Sequence, residues 1–222
     1  MKAIILSAGR GERMRPLTEH SPKPLLLVNK KPLLQYHIEA LSTAGIKELV
    51  VNHALMGEMI EDYFGDGDNF NVNIKYSAEG NAPLETGGGI KHALPLLGEE
   101  PFIVVNGDIW TDYDFSSLPE QPQGQAHLVL VSNPAHHLDG DFCLEGDCVR
   151  EKGEDKYTYS GIGVYRPSLF ADTEMTSFPL APLLRGAMRA ELVSGELYRG
   201  EWLDIGTPER LALANNKAKK TK

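Results

Sequence analysis

Cysteine is scarce in this sequence: Cys143 and Cys148 are the only two in 222 residues. Two thiols cannot make a disulfide framework, and their spacing is not a common zinc pattern. They fall in a stretch that reads as a hairpin and are expected to be ordinary reduced residues. Long apolar runs are missing too. None approaches the about 18 residues needed to span a bilayer, and Met1–Leu6 is too short for the apolar region of a signal peptide. A cytoplasmic protein with no membrane partner is the expectation. Basic residues are outnumbered, 22 Lys and Arg against 31 Asp and Glu, for a net charge of −9. That balance argues against nucleic acid as a partner. Two phosphate-loop signatures are also absent. Met14 stands where the dinucleotide fingerprint GxGxxG needs its third glycine, which disfavours a nicotinamide-dependent dehydrogenase, and no Walker A pattern occurs. There is no internal repeat and no low-complexity linker.

Hydrophobic residues make up 41% of the chain, enough for a sizeable core. Ala3–Leu6 reads as a buried strand running into a long Gly-, Arg- and Pro-rich loop over residues 8–24. A helix is predicted from Pro32, with Leu34, Ile38 and Leu41 on one stripe and Gly45 as its stop. Strands follow at Glu48–Asn52, Asn71–Tyr76 and Pro101–Val105, with helices at Met56–Phe64 and Ile90–Leu97, the latter open to shortening by Pro95. Strand–helix alternation at this spacing predicts a mostly parallel sheet covered on both faces. The second half reads as more β-rich, with strands at Ala126–Val131, Phe142–Leu144, Cys148–Glu151 and Tyr159–Tyr165. Helices are expected at Leu180–Ala190 and from Pro208 to about Asn216, and residues 217–222 read as a short, frayed basic tail. The expected fold is α/β, a single-domain Rossmann-like three-layer sandwich over residues 1–222 with a mixed, mostly parallel central sheet.

Charge is unevenly placed. Residues 1–31 carry seven basic side chains and only Glu12 and Glu19 as acids. A basic segment in an acidic chain suits a small anionic ligand. Within it lies Ala8-Gly9-Arg10-Gly11-Glu12-Arg13-Met14-Arg15, directly after the first strand. Glycines there let the backbone bring N–H groups close to a phosphate. Lys23 follows between Pro22 and Pro24, a setting that fixes its backbone. Asn106-Gly107-Asp108 ends a strand, where ligands sit in open α/β sheets. Trp202-Leu203-Asp204 repeats that logic before the last helix. Either aspartate alone also suits a turn or a cap. Small residues at Leu84-Glu85-Thr86-Gly87-Gly88-Gly89, and Ser160-Gly161 interrupting a strand, suit either close ligand approach or, respectively, a flexible loop and a β-bulge. His136 and His137 lie in a polar loop without a third ligand at metal spacing.

Gly9, Gly11, Arg15, Pro22 and Lys23, with the two aspartate motifs, resemble the sugar nucleotidyltransferase family, and the likeness runs from Lys2 to about Leu213. The resemblance implies joining a nucleoside triphosphate to a sugar 1-phosphate with release of pyrophosphate. It implies a nucleotide-binding part over about 1–110 and a sugar-binding part over about 111–222. Ala8, Gly9 and Gly11 would wrap the triphosphate, Arg15 would neutralise the leaving pyrophosphate, and Lys23 would contact the reacting phosphates. Asp108 and Asp204 would share Mg²⁺. Glu79, Glu85, Thr86, Gly87, Gly88 and Asn106 would line the base and sugar, and Ser160 and Gly161 would face the sugar. Glu85 departs from the family pattern, which carries glycine there. Chain length and the segments 84–89 and 106–113 point within the family to UTP and N-acetylmuramic acid 1-phosphate. GTP with mannose 1-phosphate, or an inactive nucleotide-sugar sensor, are the alternatives. No hexapeptide repeat is present, so β-helix trimerisation is not implied, and a monomer or small homo-oligomer is expected.

Overall fold

The computed structural model describes residues 1–80 and 83–219. In chain order the strands are β1 (Lys2–Leu6), β2 (Leu27–Val28), β3 (Lys31–Pro32), β4 (Glu48–His53), β5 (Asn73–Ala78), β6 (Phe102–Asn106), β7 (Ile109–Thr111), β8 (Ala126–Val131), β9 (Phe142–Glu145), β10 (Cys148–Arg150), β11 (Lys156–Tyr165), β12 (Val193–Tyr198) and β13 (Trp202–Asp204). The α-helices are α1 (Leu33–Thr43), α2 (Gly57–Phe64), α3 (Glu85–Leu97), α4 (Ala181–Arg189) and α5 (Pro208–Ala218). Of the expected tail 217–222, residues 220–222 lie outside the described residues.

Nine strands form one sheet in the order β5-β4-β1-β6-β11-β8-β12-β10-β9. Its layering follows from residue alternation. On β1, Ala3 and Ile5 face one core and Ile4 the other, and β6 splits likewise into Ile103/Val105 and Phe102/Val104. Apolar residues on both faces make these strands near-continuous apolar runs, as expected when helices cover both sides. Leu34, Ile38 and Leu41 of α1 and Ile60 and Phe64 of α2 fill the first core. Ile90, Ala93 and Leu97 of α3 and Leu184, Ala187 and Met188 of α4 fill the second. The result is the expected three-layer α/β sandwich with a mixed sheet. Parallel pairing is concentrated in β5-β4-β1-β6, with one more parallel pair, β8 with β12. β11 runs antiparallel between β6 and β8, and β9 and β10 close the far edge as an antiparallel hairpin. Cys143 and Cys148 stand on that hairpin as free thiols.

Several elements depart from the sequence expectation. Helix α3 begins at Glu85 rather than Ile90, and Pro95 lies inside it without ending it. Gly87 and Gly88 donate their N–H groups to the Phe178 carbonyl at 3.0 and 3.1 Å. A side chain on Gly87 would overlap the Phe178 ring, and one on Gly88 the Thr176 carbonyl. Close packing of 176–178 against these turns therefore offsets the poor helix propensity of glycine. β12 was not visible as a strand because Ser194, Gly195 and Glu196 break its apolar pattern. Long-range pairing with β8 forms it, and Gly195 lets the Leu128 carbonyl approach to within 2.6 Å of where a Cβ would stand. β7 and β13 form a separate two-stranded ribbon between segments some 90 residues apart, which no local pattern announces.

His37 on α1 is fully buried, and its Nε2 lies 2.9 Å from the Ile109 carbonyl. Burial pushes this ring down to about 4 from its ordinary 6.5. Between those values the unfolded chain takes up a proton that the folded chain refuses, so stability is lost as pH falls through this window. The loss should approach roughly 3 kcal/mol near its lower end. His37→Gln, which keeps a donor for Ile109, should flatten the dependence, and urea unfolding at pH 7 and pH 4.5 would measure it.

Candidate active site

The phosphate-loop segment leaves β1 at Leu6. Ser7 N donates to Asn52 Oδ1 (2.6 Å), Asn52 Nδ2 to Glu79 Oε1 (2.6 Å), and Leu84 N to Glu79 Oε2 (2.7 Å). One relay thus ties the carboxyl ends of β1, β4 and β5 to the start of α3. Gly11 adopts φ +63°, and Thr18 Oγ1 donates to its carbonyl at 2.8 Å. A Cβ on Gly11 would stand 2.9 Å from Thr18 Cγ2, so the loop folds back on itself only with glycine there. Between this loop and the strand ends lies a cleft of about 620 Å³. Ala8, Gly9, Gly11, Lys23, Glu79, Glu85, Thr86, Asn106 and Asp108 all line it, with Arg10, Arg13 and Asn52. Glu85 holds φ +59°, the left-handed region that glycine occupies without cost. The position where the resembling family carries glycine therefore keeps a glycine-like backbone while presenting a carboxylate.

A second, more open cleft of about 340 Å³ adjoins the first. Asn106 and Asp108 belong to both. His136, His137, Asp141, Ser160, Trp202 and Asp204 line the second. The β7–β13 ribbon pairs Asp204 with Ile109, and Ile205 N donates to the Asp108 carbonyl at 2.7 Å. The two aspartates, remote in sequence, thereby emerge from adjacent backbone. Lys23, only 10% exposed at its side chain, places Nζ 2.6 Å from Asp108 Oδ2. Arg210 Nη1 lies 2.5 Å from Asp204 Oδ2. Asp204 Oδ1 is buried and receives no hydrogen bond. Two hard carboxylates, one with a free oxygen, fit a divalent ion such as Mg²⁺, which takes one or two protein carboxylates and completes its shell with phosphates and water. Among the described residues no group of three or more His, Cys, Asp and Glu forms a protein-only metal cage.

The other expected positions fall into place or fall away. Ser160 lines the second cleft, but its Oγ already donates to the Val129 carbonyl (2.6 Å), while its carbonyl accepts from Trp202 Nε1 (2.9 Å). Gly161, at φ +84°, sits at a β-bulge between β11 and β8, and a Cβ there would stand 2.6 Å from the Asn106 side chain. It therefore seats Asn106 at the seam of the clefts. Gly87 and Gly88 are buried packing positions against Thr176–Phe178 and do not border either cleft. Arg15 is exposed and outside the lining of both clefts; the cations at the phosphate cleft are Arg10, Arg13 and Lys23. Arg13 alternates with Arg15 by two positions in one loop, and only the backbone path separates them. The His136–His137 pair, set aside on spacing, faces the second cleft: His136 Nε2 is 2.9 Å from Asp204 Oδ1 and His137 Nε2 is 3.0 Å from Asp141 Oδ1.

This chain is similar to known proteins over its whole length. The nucleotidyl transferase family profile matches residues 2–139. A Neisseria meningitidis serogroup B protein, N-acetylmuramate alpha-1-phosphate uridylyltransferase, is 54% identical over 95% of each chain. A Campylobacter jejuni protein, D-glycero-alpha-D-manno-heptose 1-phosphate guanylyltransferase, is 41% identical over 94% of this chain and 96% of its own. In fold, the chain matches a solved Bacillus anthracis structure described as a glucose-1-phosphate thymidylyltransferase in complex with a sucrose. That match has a TM-score of 0.87 and 22% identity, and it covers 99% of this chain and 95% of the other. With its phosphate loop, its paired clefts and these likenesses together, the chain belongs to the nucleotidyl transferase family.

Proposed function

We propose that this chain transfers a uridylyl group from UTP to N-acetylmuramic acid 1-phosphate and releases pyrophosphate, a cytoplasmic reaction of peptidoglycan recycling. The observation that carries the reading is the pair of adjoining clefts with Asn106 and Asp108 at their seam. One cleft has the glycine backbone and cations that suit a triphosphate, and the other has the polar wall that suits a sugar. A reaction joining two phosphates needs such a seam. Choice of base and sugar follows the Neisseria relative, which is 54% identical over nearly all of both chains.

The acceptor phosphate is already an anion, so the transfer needs positioning and charge neutralisation rather than a general base. The backbone of Ala8, Gly9 and Gly11 offers N–H groups to the triphosphate. Lys23 offsets charge at the reacting phosphate, and Arg13 with Arg10 takes the pyrophosphate role that the motif alone assigned to Arg15. Glu79, Glu85 and Thr86 border the base, and Ser160 and the Gly161-seated Asn106 border the sugar. Asp108 and Asp204 would hold Mg²⁺, which would supply positive charge to offset the repulsion between the reacting phosphates. The Campylobacter relative favours a second reading, guanylyl transfer from GTP to a sugar 1-phosphate. An inactive sensor would have no need of Lys23, Asp108 and Asp204 together.

Pyrophosphate release should require both UTP and N-acetylmuramic acid 1-phosphate when four nucleoside triphosphates are crossed with several sugar 1-phosphates in Mg²⁺. Release with GTP alone would keep the chemistry and overturn the base assignment. Asp108→Asn should lower kcat about 100-fold or more, read by pyrophosphate release at saturating substrates. Arg13→Ala should reduce kcat/KM for UTP at least about tenfold, and Arg15→Ala by far less. Equal losses in the two arginine variants would return the role to Arg15.

A further inference from the structure

Arg210 has no part in the reading above, yet four observations converge on it. It is the third residue of α5, and its N–H faces the Thr207 Oγ1 cap at 3.4 Å. A cation in the first turn opposes the helix dipole, so this position is unfavourable for the helix itself. Its guanidinium instead folds back over the chain, where a Cβ on Gly206 would stand 2.2 Å from Nη2 and displace it. Nη1 reaches Asp204 Oδ2 at 2.5 Å and His136 Nε2 at 2.6 Å. A ring nitrogen that accepts from Arg210 has no proton to give. Asp204 Oδ1, 2.9 Å from that nitrogen, is accordingly left buried without a hydrogen bond.

We infer that Arg210 is an internal counter-ion that holds the Asp204 carboxylate until a divalent cation replaces it, so that its guanidinium sets the metal affinity of the free protein. The inference rests on the reading that Asp108 and Asp204 hold the metal. The same logic applies across the seam, where Lys23 sits on Asp108. Both carboxylates are neutralised by side-chain cations, and a metal ion must compete with that charge for each of them. Lys23 gains an alternative anion when triphosphate enters the first cleft. Arg210 lies beside Gly206, which borders that same cleft with Arg13 near it. Metal and nucleotide therefore favour each other's binding through two displaced cations.

The test is Mn²⁺ binding to the nucleotide-free protein, read by the electron paramagnetic resonance of unbound Mn²⁺, with melting temperature measured alongside. Arg210→Gln should bind Mn²⁺ at least about tenfold more tightly than the parent, because the competing charge is gone. Its melting temperature should fall without metal and recover as Mn²⁺ is added, since the bared carboxylate regains a counter-ion. Adding Asp204→Asn should abolish the gain. If Arg210→Gln melts below the assay temperature, Arg210→Lys serves, since a point charge cannot span Asp204 and His136 together; it should fall between the parent and the neutral variant. Mn²⁺ binding by the variants at or below the parental affinity would overturn the inference. In that case, weaker Mn²⁺ retention by Asp204→Asn in the complex with a non-hydrolysable UTP analogue would leave the metal reading standing. If Asp204→Asn retains Mn²⁺ in that complex as the parent does, the metal reading fails, and the inference with it.

Discussion

The ribbon between Ile109–Thr111 and Trp202–Asp204 is the constraint on which the site depends. Its pairing, extended by the bond from Ile205 N to the Asp108 carbonyl, makes neighbours of two aspartates that the chain separates by most of the second half of the sheet. Trp202 then ties the ribbon to the β11 bulge through the Ser160 carbonyl, and the bulge seats Asn106. Strand pairing, an indole hydrogen bond and one glycine in the left-handed region thus act in series. The ribbon and the indole bond fix backbone, and the glycine leaves room for the Asn106 side chain, which is how a site keeps its geometry when its ligands are charged and mutually repulsive.

Charge in this region is paired locally although the whole chain is acidic. Lys23 meets Asp108, and Arg210 meets Asp204. Three of the seven basic residues of 1–31 gather at one mouth, with Arg10 and Arg13 on the loop and Lys23 beneath it. Lys23 is the most enclosed of these cations, and the prolines on either side restrict its backbone. A lysine so held has lost most of its freedom before any ligand arrives, so its attraction for phosphate is not offset by an ordering cost.

What was legible in the sequence follows the range of the interactions involved. The α/β class, both cores and most elements come from local periodicity, because a strand buried on both faces or a helix with one apolar stripe writes its environment into adjacent residues. The phosphate loop and Lys23 were legible because glycine and proline declare backbone geometry by themselves. The motif does not separate Arg13, which lines the first cleft, from Arg15, which does not, because two arginines in one loop differ only in where the backbone turns them. Gly87 and Gly88 resembled a ligand cradle, yet it is Phe178, far along the chain, that uses the space. Strand β12, the ribbon and the His136–Asp204–Arg210 cluster are long-range closures, and spacing carries no trace of such contacts.

Asp108 belongs to both clefts, and this has an evolutionary consequence. On the proposed reading, a change at the seam alters the grip on donor and acceptor at once, so neither preference can drift there without dragging the other. The outer walls carry no such coupling: Glu85 and Thr86 border only the first cleft, and His137 and Asp141 only the second. A lineage can exchange its base or its sugar one wall at a time while the seam stays still. One scaffold can then diversify into many donor–acceptor pairs through independent steps, none of which passes through a dead enzyme.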